Sequence, residues 1–214
     1  MGAYHQRDLA LVLAAAALLG PAASLASGKS LTFYSSRAAF DAAEPGLPVQ
    51  SFDSADLHGQ PFQVIANDLD SQTDDGVFQA GAILPGLLID TRRPGQQSTA
   101  LIVTSGGPPQ AVSVGDNWFG DTLRLEFSPG VSAVGETVFG STSNGVSFAG
   151  KIHEAVYSGA QLLGGRTVKE TTGGDVFIGV ASSGPPITRI DITWASDNDA
   201  TTYVSDIAFG SPPP

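Results

Sequence analysis

Oxygen donors dominate the reactive side chains of this sequence. Asp197, Asp199 and Asp206 fall in "SDNDATTYVSD", Asp68, Asp70, Asp74 and Asp75 fall in "DLDSQTDDG", and cysteine is absent. Calcium takes about 6–8 oxygen ligands and accepts backbone carbonyls, so acidic loops of this kind suit it. Neither stretch carries the glycine at position 6 and the glutamate at position 12 of an EF-hand loop, which excludes that motif. A calcium site of another kind, built from loops or from adjoining first and last strands, stays open beside the alternative that these aspartates form Asx turns and hydrated loop tips.

Catalytic signals are sparse. The G-x-S-x-G elbow of α/β-type serine hydrolases does not occur, and thiol chemistry and zinc–thiolate sites have no cysteine to use. His153-Glu154 lacks the second histidine of H-E-x-x-H, and "KIHEAVYSG" alternates like a strand instead of placing ligands at i and i+4 on a helix. Glu126, Glu136, Glu154 and Glu170 are the glutamates outside the helical segment that could serve as paired carboxylates in glycoside hydrolysis. Their sequence context does not separate such a pair from surface charge. Trp118, in the polar loop "GDNWFGD", has two readings, a stacking platform for a sugar ring or a plug closing the edge of a sheet. Trp194 continues the apolar side of its strand and is expected in the core.

These side chains must be held by strands. In "TLRLEF", Leu123, Leu125 and Phe127 share one face while Thr122, Arg124 and Glu126 share the other, the period of a half-buried strand. "ITRIDITW" repeats the pattern, with Ile190, Ile192 and Trp194 inward and Arg189, Asp191 and Thr193 outward, and "DVFIGVAS" and "TYVSDIAF" are further runs. "SPG", "SNG", "GG" and "SGPP" between them supply turn chemistry. The spacing predicts an antiparallel sandwich or barrel. One helix is predicted over 35–46, capped by Ser35 or Ser36, contacting the core through Phe40 and ended by Pro45-Gly46; it packs as a lid on the sheets. The acidic stretch 57–81 reads as a long loop around weak strands, and no internal repeat is visible.

With 42% apolar residues, 26 glycines and 14 prolines, the chain is too hydrophobic to be disordered and too rich in turn formers to be helical. Ten Lys+Arg against 21 Asp+Glu give a net charge of −11, which repels phosphate backbones and argues against nucleic-acid binding. The order Arg7, an apolar run Leu9 to Leu19, Gly20-Pro21 and the small residues Ala22 to Ser27 is that of a secretory signal peptide, with cleavage after Ala26. Residues 1–26 are therefore expected to be removed, 27–210 to form one domain and 211–214 to fray. That apolar run is shorter than the roughly 20 residues of a membrane-spanning helix, so the mature chain is expected to have no membrane span.

Taken together, "LTFYSSRAAFDAAEPGLPVQSFD", "LRLEFSPGVSAVGETVFG", "FIGVASSGPPITRIDITWAS" and "VSDIAFG" resemble a family of exported bacterial β-sandwich proteins, many of which carry a PEP-CTERM sorting signal. The sequence ends at "SPPP" and shows no Pro-Glu-Pro motif, apolar span and basic tail. The resemblance implies an all-β, antiparallel, jelly-roll sandwich similar to carbohydrate-binding modules and associated with the cell surface and extracellular polysaccharide. Such modules hold a structural calcium between an acidic residue of the first strands and one of the last, which implies Asp53 and Asp206 as metal ligands. Asp206, Phe209 and Gly210 match the family's ending, whereas Ser205 stands where the first member of an acidic pair is expected.

The resulting expectation is a secreted, non-catalytic module binding polysaccharide or extracellular matrix, with Trp118 as ligand contact and Asp53 and Asp206 around a calcium ion. A structural or assembly protein without a small ligand is the alternative, and a glycan-acting hydrolase is a third.

Overall fold

The computed structural model describes residues 31–66, 68–93, 100–105, 111–141, 149–195 and 201–211. The expected leader 1–26, Asp197 and Asp199, the "SNG" turn and the terminal prolines lie outside the described residues. No described helix is long and apolar enough to cross a membrane.

Two antiparallel sheets form a sandwich of jelly-roll type. In chain order the elements are β1 (Leu31–Tyr34), α1 (Arg37–Ala43), β2 (Val49–Ser51), β3 (Phe62–Ile65), β4 (Leu69–Asp70), β5 (Leu87–Arg92), β6 (Leu101–Thr104), β7 (Ser113–Asp116), β8 (Thr122–Val131), β9 (Ala133–Ser141), β10 (Gly150–Ser158), β11 (Gln161–Glu170), β12 (Val176–Ser182), β13 (Ile187–Ala195) and β14 (Thr201–Gly210). The eight-stranded sheet runs β1-β12-β9-β14-β7-β6-β3, with β2 also on β14, and the six-stranded sheet runs β11-β10-β13-β8-β5-β4. From β7 onward the chain crosses from one sheet to the other at every step except the β10–β11 hairpin. The alternation read from "TLRLEF" and "ITRIDITW" is what fills that core: Leu123, Leu125, Phe127, Ile190, Ile192 and Trp194 are all buried. Trp194 fits only because Gly140 and Gly150 lie against its indole; a Cβ at either would come within 2.2–2.4 Å of the ring.

Helix α1 is shorter than predicted. Ser36 caps it, its hydroxyl accepting from the Ala39 N–H at 3.3 Å, and it closes at Glu44 because Pro45 follows. Its one buried residue, Phe40, meets Tyr34 edge-on at 5.5 Å and Phe177 at 5.6 Å on the outer face of the eight-stranded sheet. Gly135 and Gly179 floor that seat, where a Cβ would approach the Phe40 ring to 2.8–2.9 Å.

One expectation changes: "SPG" does not end a strand, since β8 runs through Ser128-Pro129, joined by a cis peptide, and the chain turns at Ser132. The stretch 57–81 is mostly loop around the short strands β3 and β4, as expected, and two of its aspartates act as turn residues. The Asp70 carboxylate accepts from the Gln72 N–H at 2.8 Å, and Asp75 accepts from Val77 and Phe78 at 3.0 and 2.9 Å. For those two residues the open choice between calcium and Asx turn is answered by the turn.

Candidate functional site

The side chains of the six-stranded sheet that do not enter the core form a polar face that no described helix or strand covers. Strand register sets its pattern. Asp191 of β13 lies opposite Arg124 of β8 and Ala155 of β10, Arg189 lies opposite Glu126 and Tyr157, and Thr193 lies opposite His153. On β11, Thr167 lies opposite His153 and Gly165 opposite Ala155. Cation and carboxylate alternate across β13, β8 and β5, and they pair: Arg124–Asp191 at 2.9 Å, Arg189–Asp191 at 3.3 Å and Arg92–Asp90 at 2.5 Å. Asp90 is fully covered by this lattice; burial pushes its carboxyl up to about 6 against the pull of Arg92 and Arg124.

A furrow crosses the face. Its central hollow, about 640 Å³, is walled by Thr122, His153, Tyr157, Thr167, Asp191 and Thr193. The floor stays low because it is built from Ala155 and Gly165, and a Cβ on Gly165 would sit 2.4 Å from the Glu154 carbonyl oxygen. His153 also lines a second hollow of about 520 Å³ with Lys151 and Lys169. On the other side a third hollow, about 490 Å³, lies beside Glu126 and Arg189. The Arg189 guanidinium is 3.8 Å from the centre of the Tyr157 ring, so the third hollow meets the central one across that stacked pair. Thr122 and Thr193 hydroxyls lie 3.2 Å apart, and His153 Nδ1 is 2.8 Å from the Thr167 hydroxyl. The arrangement offers many neutral and paired polar groups around a shallow trough, with one aromatic ring held rigid by a cation.

Trp118 lies in the turn between β7 and β8, just before Thr122 of the central hollow. It is 52% exposed and its neighbour Phe119 43%, so Trp118 does not plug the sandwich edge. Arg93 stacks on it at 4.9 Å from the ring centre and donates from Nε to the buried Asp121 at 2.8 Å. The ring is thus a presented platform with a braced back.

Asp206 has a different partner from the one the resemblance implied. In register it faces Ser51 of β2 and Thr137 of β9, and its carboxylate is 2.6 Å from Arg37 Nη2 at the start of α1. Asp53 is exposed in the turn that follows β2. Among the described residues no group of three or more His, Asp or Glu side chains gathers as a metal site. A carboxylate already held by a guanidinium, with one exposed aspartate as co-ligand, does not fit the many-oxygen shell of calcium.

Two of the four candidate glutamates do come together, but inside the sandwich. Glu136 of β9 and Glu154 of β10 are both buried on the core side of opposite sheets. Arg166 of β11 donates to Glu154 at 2.6 Å and to the carbonyls of Tyr34 and Gly179 at 2.8 and 3.1 Å. Neither Glu136 oxygen has a hydrogen-bond partner, nor does Glu154 Oε1. Burial first, and then Glu154, raise the Glu136 carboxyl well above its usual range, Arg166 opposing; burial likewise raises Glu154. Closed off from solvent, this pair has no access to a glycosidic bond. The signal for it was present in the sequence: Glu136 falls between Val134 and Val138, and Glu154 between Ile152 and Val156, at core positions of the two-residue period.

No protein-family profile and no curated protein matches the chain. Among solved structures, a carbohydrate-binding module from Clostridium stercorarium in complex with cellobiose is 19% identical over 56% of this chain and 86% of its own, with a TM-score of 0.31. A β-1,3-glucan-binding module from Bacillus halodurans is 20% identical over 57% of this chain and 85% of its own, with a TM-score of 0.28. An arabinoxylan arabinofuranohydrolase from Bacillus subtilis, in complex with cellotetraose, is 19% identical over 49% of this chain and 22% of its own, at a TM-score of 0.31. At such values the overlap carries no functional argument, which rests on the site itself.

Proposed function

We propose that this protein is an exported, non-catalytic module that binds polysaccharide along the uncovered face of its six-stranded sheet. The observation that carries the reading is the furrow: three adjoining hollows on one sheet face, the central one floored by Ala155 and Gly165 and bordered by Tyr157, His153, Thr193 and Asp191. A sugar chain is long, narrow and amphipathic. It needs a trough open at both ends, a ring to stack on and many hydroxyl-compatible donors and acceptors, and this face supplies those features together. On the opposite sheet α1 packs Phe40 onto the outer surface, and the hollow described beside it is smaller, about 230 Å³. Trp118 belongs to the reading as a second stacking platform at the end of the sandwich.

Retention on immobilised neutral and acidic polysaccharides, compared between the native chain and Tyr157→Ala, tests it. Retention that falls with Tyr157→Ala supports the furrow, and a native chain that binds no polysaccharide at millimolar protein overturns the reading. Export is tested by sequencing the N-terminus of protein recovered from the culture medium or periplasm, expected to begin at Ser27.

One observation favours assembly as a second reading. Strand β3 lies at the end of the eight-stranded sheet with Phe62 and Val64 exposed, an edge suited to strand addition. A sedimentation coefficient that rises with protein concentration and is reset by Val64→Lys supports that use of the edge.

A further inference from the structure

The ionic pairing of the described residues is uneven. Every described arginine is held by a carboxylate: Arg37 by Asp206, Arg92 by Asp90, Arg93 by Asp121, Arg124 and Arg189 by Asp191, and Arg166 by Glu154. The two described lysines have none. Lys151 of β10 and Lys169 of β11 are exposed and lie directly opposite each other in register. Like charges so placed destabilise a sheet, and nothing in packing requires them there. His153 follows Lys151 on the same face, and the three line one hollow of about 520 Å³ at the end of the furrow. Glu170 also lines this hollow, but its carboxylate is engaged by its own turn, accepting from the Thr172 N–H and hydroxyl, both at 2.6 Å, and from the Gly173 N–H at 2.7 Å, and it forms an ion pair with neither lysine. In a chain of net charge −11, two lysines without a carboxylate partner in a ligand trough are a local exception to the surface.

We infer that the hollow of Lys151, Lys169 and His153 seats a negatively charged substituent, a carboxylate or a sulfate ester, of the glycan bound in the furrow. The inference rests on the reading of the furrow as a polysaccharide site and adds the ligand's charge class. Two ammonium groups across adjacent strands converge on one anion, and His153 adds a further nitrogen donor beside them. The overall negative field opposes a dense polyanion such as a nucleic acid, so the fitting ligand is a glycan that carries charge at intervals and places neutral rings along the Tyr157 section.

Calorimetric titration of the full mature chain distinguishes the outcomes. The probes are oligogalacturonate, the same oligomer with its carboxyls reduced to alcohols, dextran and sparsely sulfated dextran. The native chain is expected to bind a charged oligomer at least about tenfold more tightly than its neutral counterpart, as charge-assisted hydrogen bonds imply. The preference is expected to shrink as salt rises. Preference for the uronate over its reduced form identifies carboxylate as the substituent, and preference for sulfated over plain dextran identifies sulfate. In Lys151→Gln/Lys169→Gln the preference is lost while affinity for the neutral form stays, and its melting temperature equals or exceeds that of the native chain because a like-charge repulsion has gone. Lys151→Gln alone preserves the comparison if the double variant fails to fold. Equal affinity for charged and neutral forms, or a preference that survives the double substitution, overturns the anion seat and leaves polysaccharide binding standing. Absence of binding to all four probes overturns both.

Discussion

Replacing Glu136 with glutamine tests how the sandwich interior carries charge. Glu136 is fully buried, both its oxygens lack hydrogen-bond partners, and of the two cations that oppose its raised carboxyl the stronger, Arg166, is engaged by Glu154 and two backbone carbonyls, while Arg37 is paired with Asp206. Its carboxyl is raised in the folded protein, by burial and then by Glu154, and ordinary in the unfolded chain. Below the unfolded value both states are largely protonated and the group costs little. As pH climbs from the unfolded value toward the folded one, the unfolded chain releases its proton first, so stability falls; beyond the folded value the loss is constant. Glutamine keeps the shape, cannot ionise, and brings an N–H that the unpartnered Glu154 Oε1 can accept. Relieving a buried group of this kind is worth about 1–3 kcal/mol near neutral pH. For a domain of this length that is a rise in melting temperature of about 2–12 °C. Thermal melts followed by circular dichroism from pH 4 to pH 9 are the assay. Coincident curves at pH 4 that diverge in favour of Glu136→Gln toward pH 8 are expected. A variant less stable at every pH, or a gap that does not change with pH, refutes the reasoning.

Arg166→Ala leaves Glu154 and Glu136 as two uncompensated acids between the sheets and is expected to lower stability by about 3–5 kcal/mol in urea denaturation at pH 7. Phe40→Ala empties the seat formed by Gly135 and Gly179 and is expected to cost about 3–5 kcal/mol by the same measurement, with the sandwich still folded as judged by circular dichroism. Trp118→Ala, at an exposed turn, is expected to change stability by no more than about 0.5 kcal/mol, so that any loss of polysaccharide retention it causes reports a ligand contact and not misfolding. A calcium ion at Asp206 would compete with Arg37, and the melting temperature is expected to be the same in calcium and in chelator; a rise with calcium would restore the Asp53–Asp206 pairing that the resemblance implied.

Strand identity was readable because it is a local property. The two-residue period of "TLRLEF" and "ITRIDITW" names both the strand and its buried side, and "KIHEAVYSG" names β10 in the same way. Strands β5, β6 and β7 were harder to read. Leu101, Ile102 and Val103 are consecutive buried residues and Ser113 to Asp116 are all buried, so alternation is erased where both faces are covered. Glu136 and Glu154 sit at core positions of the two-residue period, but surface charge is the commoner expectation for glutamate and their burial was not read from the sequence; it is maintained by Arg166, which arrives from a different strand.

What the sequence determined by itself is which residues of the strictly alternating strands face inward and which outward, and that Trp118 is either a platform or a plug. The first follows from periodicity alone. Register and strand order decided the rest. That Asp206 meets Arg37 and not Asp53, that Ala155 and Gly165 form one floor, and that Lys151 stands opposite Lys169 depend on which strands pair and at what offset. Those pairings join segments up to about 170 residues apart through backbone groups that are identical at every position, so only the packed sheets specify them.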